Sequence, residues 1–435
     1  MFNIRSRRAR HVWLSTTSWR QRLVFWAGAL AVGLVAVGFA MAADRVQEAF
    51  DHAIGMMPYL PLVLSPSVFA LSAWATLRWF PNSQGSGIPQ AIAARHLRDP
   101  ESRRRLLAPR TMVGKILLTL LGLAGGASIG REGPTVQVGA ALMVGCGRLA
   151  GLKGHHGLVL AGAAAGVAAA FNTPLAGIVF AIEEMARSYE NRASGLVMVA
   201  VVLAGISSLA VTGNYAYFGR TDVAITQAQG WIAMAVCGLA GGLAGGLFSR
   251  AVIEAGRLLP LWLRGVAVRR PVLFAASCGL IIALIGVAAG GLTFGTGYHA
   301  ARMALDGTED LPWWFAPAKL AATAVSTLSG IPGGLFAPSL SVGAGIGSAL
   351  SPLLADVPGP AMIMLGMVAY FAGVTQSPIT AFVIVMEMTA NQGMVVPLMA
   401  SAMIAYGVSR MVCPVPLYHA LARRFIAAAH ANGKN

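Results

Sequence analysis

Charged side chains are scarce in this sequence, and acidic ones are the scarcest. Asp, Glu, Lys and Arg make up 11% of the 435 residues, and only 16 residues are acidic, whereas an ordinary soluble domain is roughly 25% charged. So few charges cannot cover a globular surface, which excludes a soluble enzyme. With 56% apolar residues, the chain is also too hydrophobic to be disordered. The composition leaves a polytopic membrane protein.

Cysteine is also scarce, and no metal-binding or catalytic cluster is evident. The four cysteines stand singly, without the spacing of a metal site or a disulfide framework: Cys146, Cys237, Cys278 and Cys413. His155 and His156 have no carboxylate at metal-ligand spacing, and no Ser/His/Asp arrangement lies on the predicted membrane helices. We therefore expect no metal, no cofactor and no enzymatic activity.

Basic residues, in contrast, are abundant and cluster between apolar runs. The net charge is +16, and residues 1–22 hold six arginines and no acid, while residues 92–115 hold six arginines and Lys115 against two acids. Loops rich in Lys and Arg stay cytoplasmic, so the pattern predicts a cytoplasmic amino terminus. The clusters lack the motifs and interleaved aromatics of nucleic-acid-binding proteins, and we expect no nucleic-acid partner.

Apolar segments of two kinds follow one another along the chain. Long runs that match the roughly 20 residues of a bilayer-spanning helix occupy 23–43, 57–77, 195–212, 230–249 and 272–292. Stretches interrupted by Gly and Pro occupy 112–150, 158–184, 316–355 and 361–390. The first run is too long for a signal peptide, and the unbroken runs argue against a β-barrel. Broken helices are tolerated only inside protein or along a watery cavity, so they indicate a pathway for a solute.

The interruptions repeat at one offset. Pro134 and Pro338 are 204 residues apart, and so are Pro174 and Pro378. The same offset aligns Gly130 with Gly334, residues 138–140 with 342–344, and Glu183 with Glu387. Chance matches from the Gly and Ala bias are an unlikely source of one offset over more than fifty residues. The pattern predicts two membrane repeats, 23–215 and 230–418, with a transport site at their interface; their relative orientation stays open.

Three Gly- and Pro-rich segments are candidate anion sites: 85–89, 130–134 and 334–338. A helix amino terminus presents unpaired N–H groups and a partial positive charge, so it can bind an anion without a full cationic side chain. Glycine allows close approach of the backbone, and proline suits the first helical turn. Each segment alone is also compatible with a simple junction between two helices, which is the more common use.

Together the three segments, Gly-Ser-Gly-Ile-Pro, Gly-Arg-Glu-Gly-Pro and Gly-Leu-Phe-Ala-Pro, with Tyr418 after Pro416 and Leu417, resemble the signatures of the CLC chloride channels and chloride/proton antiporters. The resemblance covers roughly residues 23–425. It implies an all-α polytopic membrane fold with an internal repeat of broken, re-entrant and tilted helices, and an anion pathway at the repeat interface. It also implies a homodimer with one pathway per subunit.

The resemblance further implies residue roles in chloride binding. Ser86 and Tyr418 offer hydroxyl groups to a central chloride, and backbone N–H groups at Leu335 and Phe336 complete that site. The remaining chloride-binding candidates belong to the second signature: Gly130, Arg131 and Gly133. Lys115 falls where the family often has a buried lysine that adds positive potential.

Gating and proton transfer are implied by two glutamates and the tyrosine. Glu132 corresponds to the external gate, a carboxylate tethered where anions bind, although a salt bridge with a neighbouring base is the alternative. Tyr418 corresponds to the inner gate. Glu184 falls on the position that receives protons from the cytoplasm, which favours an antiporter over a passive chloride channel, unless this helix end lies in cytoplasmic water. Capping or packing would explain Glu183.

Some positions qualify the match. Ile92 stands where some bacterial members have an acidic residue, so the electrostatics around Lys115 differ from theirs. The retained serine and tyrosine favour chloride over fluoride as the substrate. The predicted cytoplasmic tail, 419–435, has no room for a nucleotide-binding pair, which fits a prokaryotic inner-membrane protein. Stoichiometry, voltage dependence and selectivity among chloride, bromide and nitrate stay open.

Overall fold

The computed structural model describes residues 16–152, 155–186, 193–213, 215–225, 229–258 and 260–432. Most of the predicted basic segment 1–22 and the end of the predicted 419–435 tail lie outside these residues. Within the described ranges the chain is helical, and its β-structure is limited to two isolated bridges.

Within the described residues, the chain forms ten α-helices in its second half and nine in its first, the eighth of which continues as a π-helical turn, Ala181–Ala186. Those of the first half are α1 Thr16–Met56, α2 Pro61–Arg78, α3 Ile88–His96, α4 Pro100–Leu106, α5 Pro109–Ala124, α6 Glu132–Leu149, α7 His155–Phe171, α8 Pro174–Phe180 and α9 Ala193–Thr212.

Those of the second half are α10 Gln229–Leu258, α11 Leu261–Arg269, α12 Pro271–Ala288, α13 Tyr298–Leu305, α14 Phe315–Leu328, α15 Phe336–Leu350, α16 Gly359–Thr375, α17 Pro378–Thr389, α18 Val395–Val412 and α19 Leu417–Asn432. A short 3₁₀ turn, Ser351–Leu353, extends α15.

Six segments of the described chain are long and apolar enough to cross a membrane: Trp19–Met56, Pro100–Ala124, Gly195–Thr212, Gln229–Leu258, Pro271–Ala288 and Val395–Val412. Four of them contain or closely match apolar runs predicted from the sequence. The predicted run 57–77 becomes the shorter α2, and α18 was not among the predicted runs because polar residues and Arg410 interrupt its apolar character.

The predicted breaks are present where Gly and Pro interrupt the pattern. Residues 125–131 separate α5 from α6, and residues 329–335 separate α14 from α15. At the two shorter breaks the last residue before the turn, Asn172 or Gln376, has a left-handed backbone with φ of 56° or 57°. The proline that follows two residues later opens the next helix, because its fixed φ suits a first turn.

Helix starts recur at the predicted offset. Helices α6 and α15 begin 204 residues apart, and the same spacing separates α7 from α16 and α8 from α17. The central pair, α7 and α16, is buried on all sides over most of its length, which is the environment expected for helices that are apolar all round. Helices α6, α9, α10 and α15 make extensive contacts with one or other of these two helices.

Two carboxylates show how the halves are oriented. Glu183, just after α8, accepts hydrogen bonds from the N–H groups of Ile379 (3.1 Å) and Thr380 (2.6 Å) at the start of α17. Glu387, near the end of α17, accepts bonds from Leu175 (3.1 Å) and Ala176 (2.7 Å) at the start of α8. Each helix therefore caps the other's amino terminus, and the two are antiparallel. The repeats are inverted, and capping accounts for both glutamates.

Glycine lets equivalent helices approach closely in both halves. A Cβ atom on Gly139 of α6 would lie 2.3 Å from the Gly162 carbonyl oxygen of α7, and one on Gly343 of α15 would lie 2.5 Å from the Gly366 carbonyl oxygen of α16. The helices touch backbone to backbone, as small residues allow in membrane proteins. Part of the high glycine content is thereby explained.

Candidate functional site

The three Gly- and Pro-rich segments meet at one place. The Gly130 N–H donates to the Gly334 carbonyl at 2.8 Å, and the Gly334 N–H donates back at 2.6 Å. Gly85 joins the same cluster, because its N–H donates to Ile331 at 3.2 Å and its carbonyl accepts from Gly333 at 3.1 Å. The paired turns place the amino termini of α3, α6 and α15 beside one another.

A pair of hydroxyl groups lies against this cluster. Ser86 and Tyr418 are 6% and 0% exposed, and the Tyr418 ring lies near Ser86, Glu132 and Glu184. Within the described residues neither hydroxyl oxygen has a hydrogen-bond partner of ordinary geometry. Buried polar groups are normally paired, so two such hydroxyls at helix amino termini form a place where an anion would complete the hydrogen bonding.

The start of α15 is held by aromatic packing. Phe336 is 1% exposed, and its ring packs against Phe371 and Phe180, with centroids 4.8 Å and 5.9 Å away. It also contacts Tyr418 at 6.1 Å. The first N–H groups of a helix lack intrahelical partners, so the helix start at Phe336, close to the Tyr418 ring, can offer backbone N–H groups to an anion.

The Glu132 carboxylate lies at the junction of two helix amino termini. Its residue is 0% exposed, and a Cβ atom on Gly130 would lie 2.3 Å from Glu132 Oε2 and 3.3 Å from the Ala337 nitrogen. The carboxylate thus occupies a position between the starts of α6 and α15, where positive dipole ends favour an anion. Gly130 is required there because any side chain would displace the carboxylate.

The neighbouring base does not pair with Glu132. The Arg131 guanidinium forms an ion pair with Asp44 of α1 and donates a hydrogen bond to the Ala40 carbonyl. The salt-bridge alternative for Glu132 is therefore wrong for Arg131. Of the chloride-binding candidates in this signature, Arg131 has one guanidinium nitrogen engaged by Asp44 and Ala40, and a Cβ atom on Gly133 would lie 2.5 Å from Ser86 Oγ.

Lys115 holds the backbone at the start of the first signature by hydrogen bonds. It is 0% exposed, and its Nζ donates to the carbonyls of Gly85 (2.8 Å) and Gln84 (3.3 Å), directly before Ser86. The structure also reveals an equivalent that sequence reasoning missed. Lys319, 204 residues later, is 0% exposed and donates to three consecutive carbonyls, Thr293 to Gly295, at 2.8–3.3 Å. The repeat offset was the signal that could have identified it.

Glu184 is buried within the π-helical turn and is not in open water. It is 1% exposed, and its Oε2 accepts a hydrogen bond from Ser377 Oγ at 2.5 Å, just before α17. His419 Nε2 lies 3.8 Å from Glu184 Oε1. Ionisable side chains buried at membrane depth are costly unless they are paired or titrate, so this carboxylate has a specific environment.

Two cavities approach the buried site. A cavity of about 470 Å³ reaches Ser86 and Leu335 and is also lined by Arg424. A smaller one of about 210 Å³ ends at Arg131, the residue before Glu132, and is lined by Asp44 and Tyr217. Tyr418 and Glu132 lie between them and are themselves fully buried.

Residues 67–410 match the family model described as "Voltage gated chloride channel". This chain belongs to that family, the CLC family. A curated relative named "H(+)/Cl(-) exchange transporter ClcA", from Yersinia pestis bv. Antiqua (strain Angola), is 29% identical over 426 residues, covering 92% of this chain and 86% of the relative. The protein of the same name from Yersinia pseudotuberculosis serotype O:3 (strain YPIII) matches equally.

Solved structures confirm the fold. A slow cyanobacterial Cl⁻/H⁺ antiporter superposes with a TM-score of 0.81 at 25% identity, over 94% of this chain and 98% of that one. A CLC-type fluoride/proton antiporter gives 0.77 at 22% identity, over 93% and 98%. This CLC chain therefore has the all-α, multi-pass membrane fold predicted from its sequence.

Proposed function

We propose that this CLC protein moves chloride across a membrane in exchange for protons, with Glu132 as the external gate and Glu184 as the internal proton acceptor. The observation that carries the proposal is the burial of both carboxylates in the neighbourhood of the buried Tyr418. The exchanger names of the curated relatives and of the cyanobacterial structure support it.

Chloride would bind between hydroxyl and N–H groups rather than beside a full positive charge. Ser86 and Tyr418 supply hydroxyl hydrogens, and the helix start at Leu335 and Phe336 supplies backbone N–H groups. Partial charges at a helix terminus favour an anion by an amount far smaller than a buried lysine would. Moderate binding lets chloride leave as well as enter, which conduction requires.

Glu132 would act as an anion tethered to the pathway. Its carboxylate lies beside Gly130 and the start of α15, where a chloride ion would compete with it. Protonation removes its charge and hence its attraction to the helix termini, so the protonated side chain yields the position to chloride. The charged Glu132 carboxylate and a chloride ion thus exclude each other at that position, so chloride enters when Glu132 is protonated or displaced, which couples the two ions.

The ring of Tyr418 would close the inner side while Glu184 supplies protons. Both residues are buried and near each other, and the Tyr418 ring would separate the chloride position from Glu184. Chloride and protons would therefore share the region near Glu132 and separate toward the other side of the membrane. The buried Lys115 would add positive potential along the chloride branch.

The assembly and location follow from the same family membership. We propose a homodimer with one pathway per subunit, in a bacterial inner membrane with the amino terminus in the cytoplasm. The basic clusters of residues 1–22 and 92–115 support that orientation. Light scattering of the detergent-solubilised protein would report the mass of the assembly, and a monomer would contradict the dimer.

The test is a paired flux measurement with the purified protein in liposomes. An outward chloride gradient should drive protons inward against their own gradient in the wild type, and Glu184→Gln should abolish proton movement while chloride flux remains measurable. Glu309→Gln, at an exposed position, is the matched control and should keep both fluxes. Chloride flux without proton movement in the wild type would identify a passive chloride channel instead.

A further inference from the structure

His419 is a titratable side chain beside Glu184 that none of the family signatures contains. Its side chain is 19% exposed, whereas that of Glu184 is 1% exposed, and the two approach within 3.8 Å between Nε2 and Oε1. We propose that His419 relays protons between the cytoplasmic solvent and Glu184. The proposal rests on the proposed antiport and adds the group that passes the proton to Glu184.

Glu184 needs such a neighbour because its own carboxylate is enclosed. One oxygen, Oε2, accepts from Ser377 Oγ at 2.5 Å, and the other, Oε1, lies on the side of His419. A proton donor must reach the carboxylate directly or through one water. A distance of 3.8 Å is closed by a small rotation of either side chain or by one bridging water.

The adjacent glutamate does not offer an equivalent route. Glu183 accepts two backbone N–H bonds and the Thr380 hydroxyl at 2.7 Å, all at the start of α17. Protonating Glu183 would weaken that cap each time a proton passed. Proton transfer through His419 leaves the cap of α17 intact.

A second contact defines the tautomer of His419. Its Nε2 also lies 2.9 Å from the Glu184 backbone carbonyl. A carbonyl oxygen only accepts hydrogen bonds, so Nε2 is the donor and carries the proton in this arrangement. In the neutral ring the basic nitrogen is then Nδ1, and imidazole is the side chain whose charge changes near neutral pH.

The position of His419 along α19 links it to the chloride site. It directly follows Tyr418, so consecutive residues of the first helical turn serve the two ions. Tyr418 is 0% exposed and lies against the chloride position, while the partly exposed His419 contacts Glu184. The two pathways proposed above thus separate at the amino terminus of one helix.

Charged groups of both signs lie on the elements packed around this turn. They are Glu184 on the π-helical turn, Arg95 and His96 on α3, Arg250, Glu254 and Arg257 on α10, Tyr370 on α16, and Arg423 and Arg424 on α19. Arg95 donates to the Met185 carbonyl at 2.8 Å, next to Glu184. Arg95 therefore holds the backbone beside the contact between Glu184 and His419.

The proposed step transfers one proton from the solvent through His419 to Glu184. Solvent protonates Nδ1 of the neutral ring, and the imidazolium then releases its Nε2 proton to the Glu184 carboxylate. An N–H bond breaks as an O–H bond forms, leaving a neutral imidazole and a neutral carboxylic acid. Rotation of the ring, or loss of the Nδ1 proton to solvent with reprotonation at Nε2, restores the starting tautomer. Protons leaving toward the cytoplasm follow the reverse sequence.

The test uses His419→Gln in the full-length protein in liposomes, because glutamine keeps an N–H donor but does not titrate. At equal pH on both sides, proton flux driven by a chloride gradient should fall at least about tenfold, while chloride flux changes by no more than about twofold, because a positioned acid–base group is lost from one pathway only. The residual proton flux should no longer follow the titration of an imidazole between about pH 5 and 8.

His430→Gln on the same helix is the matched control, since His430 is exposed and should leave both fluxes unchanged. His419→Ser serves as a second variant if the glutamine variant does not fold. An unchanged ratio of proton to chloride flux, or an equal loss of both fluxes in a folded variant, would overturn the relay while leaving the proposed antiport intact. A wild type that moves no protons would instead overturn the antiport, and the relay with it.

Discussion

At the scale of single residues, the proposed site depends on buried charges and hydroxyl groups at helix amino termini. Glu132 has its carboxylate beside the Ala337 nitrogen rather than on Arg131, which is committed to Asp44. Ser86 and Tyr418 have no partner of ordinary geometry for their hydroxyl oxygens within the described ranges. Such groups are costly when buried alone, and a transported anion would remove that cost.

Replacing Glu132 by alanine tests the gate. Chloride flux through the wild type should rise as the pH falls, because protonation removes the carboxylate charge that holds the gate at the helix termini. Glu132→Ala should carry chloride at a rate independent of pH, and proton movement should cease. Flux measured across a pH series in liposomes checks this, and a variant with the pH profile of the wild type would contradict the gate.

Two substitutions at Tyr418 distinguish the role of its ring from that of its hydroxyl group. Tyr418→Ala removes the ring that packs on Phe336, with centroids 6.1 Å apart, so the inner side should open and the ratio of proton to chloride flux should fall. Tyr418→Phe keeps the ring, so it should retain coupling but bind chloride more weakly, as measured by calorimetry. Full coupling in the alanine variant would show that Tyr418 is not the inner gate.

Some of these residues and contacts could be predicted from the sequence, and others could not. The turns that carry Ser86, Glu132 and Phe336 were recognisable because Gly and Pro mark helix starts and their motifs are specific. The ion pair of Arg131 with Asp44 was not, because it joins residues 87 apart in sequence and nothing local distinguishes it. His419 lies 235 residues from Glu184, so only the folded chain brings them together.

At the scale of helices, reciprocal capping joins the two halves. Glu183 and Glu387 exchange caps between α8 and α17, and each carboxylate accepts two backbone N–H groups. The offset of 204 residues predicted that these glutamates are equivalent, and capping was one of their possible explanations. Their pairing could not be predicted, because the relative orientation of the halves depends on how many segments cross the membrane.

Removing either cap should destabilise the protein. Glu183→Ala and Glu387→Ala should each lower the free energy of unfolding by about 1–3 kcal/mol, the range for buried donors that lose a charged acceptor. Unfolding of the detergent-solubilised protein by denaturant measures the change, with Glu309→Ala as the exposed control. If one cap variant matched the control in stability while the other did not, the reciprocal arrangement would be wrong.

Close helix packing gives a second prediction within one helix. Gly139→Ala places a Cβ 2.3 Å from the Gly162 carbonyl oxygen, whereas a Cβ on Gly145 of the same helix meets nothing within 4 Å. The first substitution should cost about 1–3 kcal/mol by overpacking, and Gly145→Ala should be neutral or stabilise by up to about 1 kcal/mol through helix propensity. Denaturant unfolding compares them, and equal stability of the two variants would contradict the backbone contact.

At the scale of the whole molecule, the proposed anion site lies where the two inverted halves meet. Gly130 and Gly334 occupy equivalent positions and bond to each other in both directions, so a local two-fold axis passes between them. The two buried lysines, Lys115 and Lys319, support equivalent loops on either side. The glutamates break this symmetry, because the positions equivalent to Glu132 and Glu184 are Phe336 and Met388.

Because of this asymmetry, the two halves contribute different groups to the proposed pathway. In the proposed mechanism, one half supplies the gate and the proton acceptor, and the other supplies the helix start that would bind the anion. The second half also holds Ser377, which donates a hydrogen bond to Glu184. Composition and spacing predicted the broken helices and the repeat, since both are periodic features. The division of tasks between the halves required the structure, because it depends on which side chains reach the shared axis.

The exchange of the two ions is tested most directly with the wild-type protein in liposomes under two conditions: a chloride gradient at equal pH, and a pH gradient at equal chloride concentration. A chloride gradient alone should drive protons against the gradient that then builds up, and a proton gradient alone should drive chloride uphill. Both movements should disappear together in Glu184→Gln, which retains downhill chloride flux. If the wild type dissipated the chloride gradient with no proton movement in either experiment, the account of Glu132 and Glu184 as a coupled pair would be contradicted.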